Sequence, residues 1–115
     1  KLRAILKHYD TEVAKLVLDD NSVVSSEVVD TTLANRFTFY DLTERGFTGE
    51  FQSRRIPSHW GRRQIIGKDN PTLLDELLSH RACDVEDGFW VEFEEPYNKG
   101  FRSYYDVLRA GGAMS

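Results

Sequence analysis

The sequence predicts an α+β domain: a small antiparallel sheet of about four strands with two to three helices, packed mainly on one face. Three observations lead there. Short segments alternate apolar and polar residues, the period of a half-buried strand. Other segments repeat apolar residues three and four apart, the period of a helix face. The strand-like segments run in hairpins rather than alternating regularly with helices, which favours an antiparallel sheet over a parallel one. The 115 residues match one ordinary domain. No linker or repeat divides them, so residues 1–115 read as one unit with a fraying tail at 110–115.

Residues 2–18 carry the strongest periodic signal. Leu2, Ile5, Leu6, Tyr9, Val13, Leu16 and Val17 share one helical stripe, with Lys1, Arg3, Lys7, His8, Asp10, Glu12 and Lys15 opposite. This predicts an amphipathic helix, ended by the turn residues Asp19, Asp20 and Asn21. Residues 23–29 are rich in valine and read as a strand, although Ser25 or Ser26 also suits a helix cap. Residues 35–42 and 47–54 read as a hairpin: Phe37 and Phe39 alternate with Thr38 and Tyr40, Phe47 and Phe51 flank Gly49, and Thr43–Gly46 supplies a turn closed by a left-handed glycine.

Residues 55–70 are irregular, punctuated by Pro57, Gly61 and Gly67, with a possible short strand at Gln64–Ile66. A connection of this length in a small domain is often functional. Residues 71–82 read as a helix capped by Asn70, with Pro71 in its first position and Leu73, Leu74, Leu77 and Leu78 facing inward. His80 and Arg81 suit its C-terminal dipole. Residues 89–95 form a strand with Phe89, Val91 and Phe93 on one face and Trp90, Glu92 and Glu94 on the other, ended by Pro96. Residues 101–110 form a last helix, stopped by Gly111 and Gly112.

The net charge of −4 disfavours nucleic-acid binding over the whole surface. The single cysteine, Cys83, allows neither an internal disulfide nor a cysteine-rich zinc site, which points to a reducing, cytoplasmic setting. No apolar run is long enough to span a bilayer, so a soluble protein without membrane contact is expected.

Four groups carry candidate chemistry. The first is the basic, aromatic segment Arg54, Arg55, His59, Trp60, Arg62, Arg63 and Lys68. Arginine forks and tryptophan are favoured at protein hot spots and equally grip phosphate or stack on bases; the plain alternative is a solvated loop. The second is the acidic group Asp84, Glu86, Asp87, Glu92, Glu94 and Glu95. Glu92 and Glu94 share a strand face, where two carboxylates can hold a hard divalent cation, but Lys99 is not at the spacing a nuclease site uses. The plain alternative is a solvent-facing sheet surface.

His80 and Cys83 at a helix end form the third group, a thiol–imidazole pair without an orienting partner; a structural cysteine explains it as well. The fourth is His8, expected on a solvated helix face. Near the C-terminus, Tyr97, Phe101, Tyr104 and Tyr105 form an aromatic cluster, part core and part second interface if rings are exposed. No nucleophile elbow, GxGxxG or phosphate loop is present, and no cofactor is expected.

The leading expectation is a non-enzymatic interaction domain of inhibitor, immunity or adaptor type that binds a protein through the 54–68 loop. A nucleic-acid-binding domain using the same loop is the alternative. A metal-dependent hydrolase built on Glu92 and Glu94, with Asp84 or Asp87, is the third reading.

Overall fold

Residues 2–18 form a hairpin at the centre of a sheet, not the expected helix. In the computed structural model, which describes residues 1–38, 42–51 and 72–110, β1 (Leu2–His8) and β2 (Thr11–Leu18) pair antiparallel from Leu2 opposite Leu18 to His8 opposite Thr11. The same apolar residues satisfy both periods. Leu2, Ala4 and Leu6 point one way from β1, and Ala14, Leu16 and Leu18 point the same way from β2, all buried. Val13 is skipped in the pairing between Leu6–Ala14 and Lys7–Glu12, and it is as buried as Ala14. This bulge breaks the strict alternation, which is why Val13, Leu16 and Val17 imitate a helical stripe. The connection is only Tyr9–Asp10, with Tyr9 at φ 52 where glycine or asparagine is usual.

The sheet has four antiparallel strands in the order β3-β2-β1-β4, so the class and strand number agree with expectation. β3 (Val23–Val28) is the expected strand at 23–29, and β4 (Phe89–Phe93) lies within the expected 89–95. The turn at Asp19 is also real: its carboxylate accepts from Asn21 N, Ser22 N and Ser22 Oγ at 3.0, 2.8 and 2.9 Å. These bonds, led by the Asn21 amide, hold the Asp19 carboxyl below the usual carboxylate range.

The expected hairpin at 35–42 and 47–54 is instead helical where described. α1 (Thr31–Thr38) starts at Asp30, whose carboxylate accepts from Leu33 N at 2.9 Å. α2 (Leu42–Glu50) is broken at Gly46, φ 64 and ψ 175, so the glycine does take a positive φ but joins helical turns. Phe47 and Phe51, four apart, lie on one helical side, and the Phe51 and Phe37 rings meet at 5.5 Å.

α3 (Leu73–His80) matches the helix expected at 71–82, but its cap is Thr72 rather than Asn70. Thr72 Oγ1 accepts from Asp75 N at 3.1 Å while Asp75 Oδ2 accepts from Thr72 N at 3.0 Å, a reciprocal capping box. α4 (Tyr104–Arg109) lies within 101–110, with Ser103 as its cap. Pro71, the short strand at Gln64–Ile66 and the tail at 111–115 lie outside the described residues.

α1, α2 and α3 pack Ala34, Phe37, Phe47, Phe51, Leu73 and Leu77 against the Leu6, Leu16 and Val91 face of the sheet. Each such leucine, valine or phenylalanine side chain contributes about 1.5–3 kcal/mol by leaving water. α4 takes the other face at one end only, where Trp90 is buried with Cys83, Tyr104 and Val107. Among the described residues, nothing else covers that second face. No helix among the described residues is long and apolar enough to cross a membrane.

Candidate functional site

The basic segment Arg54, Arg55, His59, Trp60, Arg62, Arg63 and Lys68 lies outside the described residues. The acidic group is divided between two places. Asp84, Glu86 and Asp87 sit in the turn before β4, where Asp84 and Asp87 accept from the backbone amides of Glu86 and Phe89. Glu92 and Glu94 lie on the bare side of the sheet. No group of three or more His, Cys, Asp or Glu able to hold a metal occurs among the described residues.

His80 and Cys83 do not form a thiol–imidazole pair. The imidazole Nε2 lies 3.5 Å from Glu76 Oε2, and Cys83 is buried beside Trp90 and Tyr104. The left-handed Arg81 and Ala82 turn the chain between them. His8 is not on a solvated helix face: its ring packs on Tyr9 and Phe89 at 4.8 and 4.7 Å.

The bare face forms a shallow concavity of about 530 Å³ lined by residues from all four strands and by Glu94 just beyond β4. Strand register sets its chemistry. One row across the sheet runs Glu27, Lys15, Ile5, Glu92; the next runs Ser25, Val17, Arg3, with Glu94 at its end. Ile5 and Val17 thus form a half-buried apolar centre between carboxylates and cations. Lys7 Nζ stands 3.8 Å from Glu92 Oε2 and 5.3 Å from the centre of the Trp90 ring. Arg3 N donates to Glu94 Oε1 at 3.1 Å. Of these residues only Ser25, Glu27, Glu92 and Glu94 were legible as strand residues, because reading 2–18 as a helix hid Arg3, Ile5, Lys7, Lys15 and Val17.

The two edges of the sheet differ. Beyond β4 the chain returns alongside, and Val91 N donates to Arg81 O at 2.7 Å. Beyond β3 no further strand pairs among the described residues, and its burial is low throughout, with only its end valines half-buried. One contact closes its start, where Val23 N donates to Thr48 Oγ1 at 2.8 Å.

Glu94 is held in place by a buried polar knot. Asn98 Oδ1 accepts from Phe93 N and from Arg81 Nη1, both at 3.1 Å, and Asn98 Nδ2 donates to Phe101 O. The buried Arg81 guanidinium lies 4.6 Å from the Phe101 ring centre and 5.5 Å from that of Phe93. Burial lowers its pKa, opposed by the Glu95 charge.

At the opposite end of the bare face, Tyr9, Tyr104 and Tyr105 form a triangle with ring centres 5.2, 5.9 and 5.6 Å apart. Tyr104 is buried, and its hydroxyl donates to Asp84 O. Burial pushes its pKa up, partly offset by the Gly88 backbone. The expected aromatic cluster is therefore divided: Phe101 and Leu108 pack on the Trp90 core, while Tyr97 and Tyr105 are exposed.

Comparison with protein-family models, curated proteins and solved structures finds no match for this chain.

Proposed function

We propose that this chain is a non-enzymatic protein-interaction domain whose contact surface is the bare sheet face, with the edge of β3 beside it. The observation that carries this reading is the concavity of about 530 Å³ with Ile5 and Val17 at its centre and Arg3, Lys15, Glu27, Glu92 and Glu94 around them. An antiparallel sheet facing water needs no apolar centre on that side. An apolar core inside a charged rim is the anatomy of a protein contact.

The occupant that fits is an extended segment of a protein partner bearing both charge signs. Alternate rows offer it carboxylate and cation at strand spacing, and pairing along β3 supplies main-chain hydrogen bonds. Glu27, Glu92 and Glu94 disfavour a phosphate backbone in the same place. The basic segment 54–68 joins this reading on its residue types alone, as further anchors of the kind enriched at hot spots. Inhibitor, immunity and adaptor roles are specific forms of such binding.

Affinity capture from the native cell tests it, with and without nuclease. Four chains are compared: wild type, Ile5→Glu with Val17→Glu, the variant with Arg54, Arg55, Trp60, Arg62 and Arg63 all changed to alanine, and Thr32→Ala, exposed on α1, as a distant control. A nuclease-resistant partner that is lost with the Ile5/Val17 variant and kept by the control supports the assignment. Capture unaffected by the Ile5/Val17 change removes the sheet face. Capture lost on nuclease treatment gives the function to nucleic acid.

A further inference from the structure

We infer that the tyrosine corner is a second contact surface, built for a lysine- or arginine-bearing segment of a polypeptide. It is distinct from the sheet concavity and stands or falls independently of it.

The corner is exposed where an aromatic is not needed for folding. Tyr9 is 39% and Tyr105 55% exposed, with ring centres 5.9 Å apart. Scattered apolar residues on a surface are ordinary, but two exposed rings packed on each other over a buried third mark a contact. The rings are also fixed in place. Tyr9 N donates to Gly88 O at 2.9 Å, and Trp90 Nε1 donates to Tyr9 O at 2.8 Å. Gly88 has φ +82, and a Cβ there would stand 2.5 Å from the Tyr9 ring, so the ring lies directly on the glycine. Rings locked in this way lose little freedom on binding.

Charge selects the partner. The two turns joined by the Tyr9–Gly88 hydrogen bond are Tyr9–Asp10, with Glu12 just inside β2, and Asp84–Gly88. They carry five carboxylates, Asp10, Glu12, Asp84, Glu86 and Asp87, and no lysine or arginine. Among the described residues, Lys7 lies against Glu92 and Trp90, and Arg109 pairs with Asp106 at 2.5 Å. A cationic head over the exposed tyrosine faces gains from the ring quadrupoles and from the carboxylates together. A polyanion meets like charge at the carboxylates of these two turns.

The test is a titration of the full chain with a short peptide of alternating arginine and glycine, followed by amide NMR shifts, with a glutamate–glycine peptide as control. Shifts at Tyr9, Asp10, Val85–Gly88 and Tyr105, weakened by added salt, are expected. Tyr105→Leu keeps apolar bulk at an exposed position and removes the π face; about three- to tenfold weaker binding is expected from the size of a cation–π contact. Glu86→Gln should weaken it in the same direction. Unchanged affinity in Tyr105→Leu, shifts centred on Glu27, Glu92 and Glu94, or no shifts at millimolar peptide would each overturn the inference. Shifts at Glu27, Glu92 and Glu94 would move the peptide to the sheet concavity, while the other outcomes leave capture through Ile5 and Val17 untouched, so the two surfaces are judged separately.

Discussion

Asn98 is the side chain whose loss should most damage the chain leaving β4. Its amide joins three buried partners: the Phe93 amide, the Arg81 guanidinium and the Phe101 carbonyl. Replacement by alanine leaves Phe93 N–H without its acceptor in a buried setting, at about 1–3 kcal/mol, and removes a hydrogen bond to a charged group worth about 1.5–3 kcal/mol. Arg81 keeps its bond to Tyr97 O at 3.3 Å and its stacking on Phe101, so part of the loss is recovered. The expected cost is about 3–4 kcal/mol, a large share of a typical domain stability of about 5–15 kcal/mol. At about 4 °C per kcal/mol this lowers the melting temperature by roughly 12–16 °C. Urea unfolding followed by far-ultraviolet circular dichroism measures it. A double-mutant cycle with Arg81→Met should show coupling above about 1 kcal/mol, because the two side chains share one bond. A loss under about 1 kcal/mol for Asn98→Ala, or additivity within about 0.5 kcal/mol, would refute the knot as the anchor of the Glu94 turn.

Three further outcomes follow from the geometry. Leu6→Ala should cost about 2–5 kcal/mol and Ile5→Ala about 1 kcal/mol or less, because adjacent strand residues face opposite sides; similar losses at both positions in urea unfolding would contradict the register. Gly88→Ala should destabilise by more than about 1 kcal/mol, since it combines a positive φ with a Cβ pressed into the Tyr9 ring; a neutral effect on melting would contradict the close approach. Tyr104 should ionise above the ordinary tyrosine range in an absorbance titration, because burial favours its neutral form. With its folded pKa raised, its contribution to stability is complete below the ordinary tyrosine range and is lost as pH rises through the folded value. Tyr104→Phe should remove that late step, and a titration curve unaltered by the substitution would count against it.

What was legible in the sequence depended on how local each signal was. α3, β4 and α4 each carry a complete pattern within their own residues, such as four leucines at helical spacing or the alternating Phe89–Phe93. The first hairpin was not legible, because its bulge at Val13 and its Tyr9–Asp10 turn both depart from the usual signals. At 35–54 the alternation of phenylalanines pointed to a hairpin, and the helix start at Asp30 shows only in the bond that its carboxylate accepts from Leu33 N. The concavity was half visible. Alternation placed Glu92 and Glu94 together, but their neighbours Ile5 and Arg3 reach them through strand pairing across nearly the whole chain, which no local pattern records.

The central claim is that the bare sheet face and the β3 edge receive a polypeptide. Amide hydrogen exchange of the chain, alone and bound to the captured partner, tests it most directly. The account predicts new protection along Val23–Val28, with Arg3–Ile5 and Lys15–Val17 also slowed and α1 and α3 unchanged. Protection confined to the helical side of the sheet, with β3 exchanging as fast as in the free chain, would contradict it.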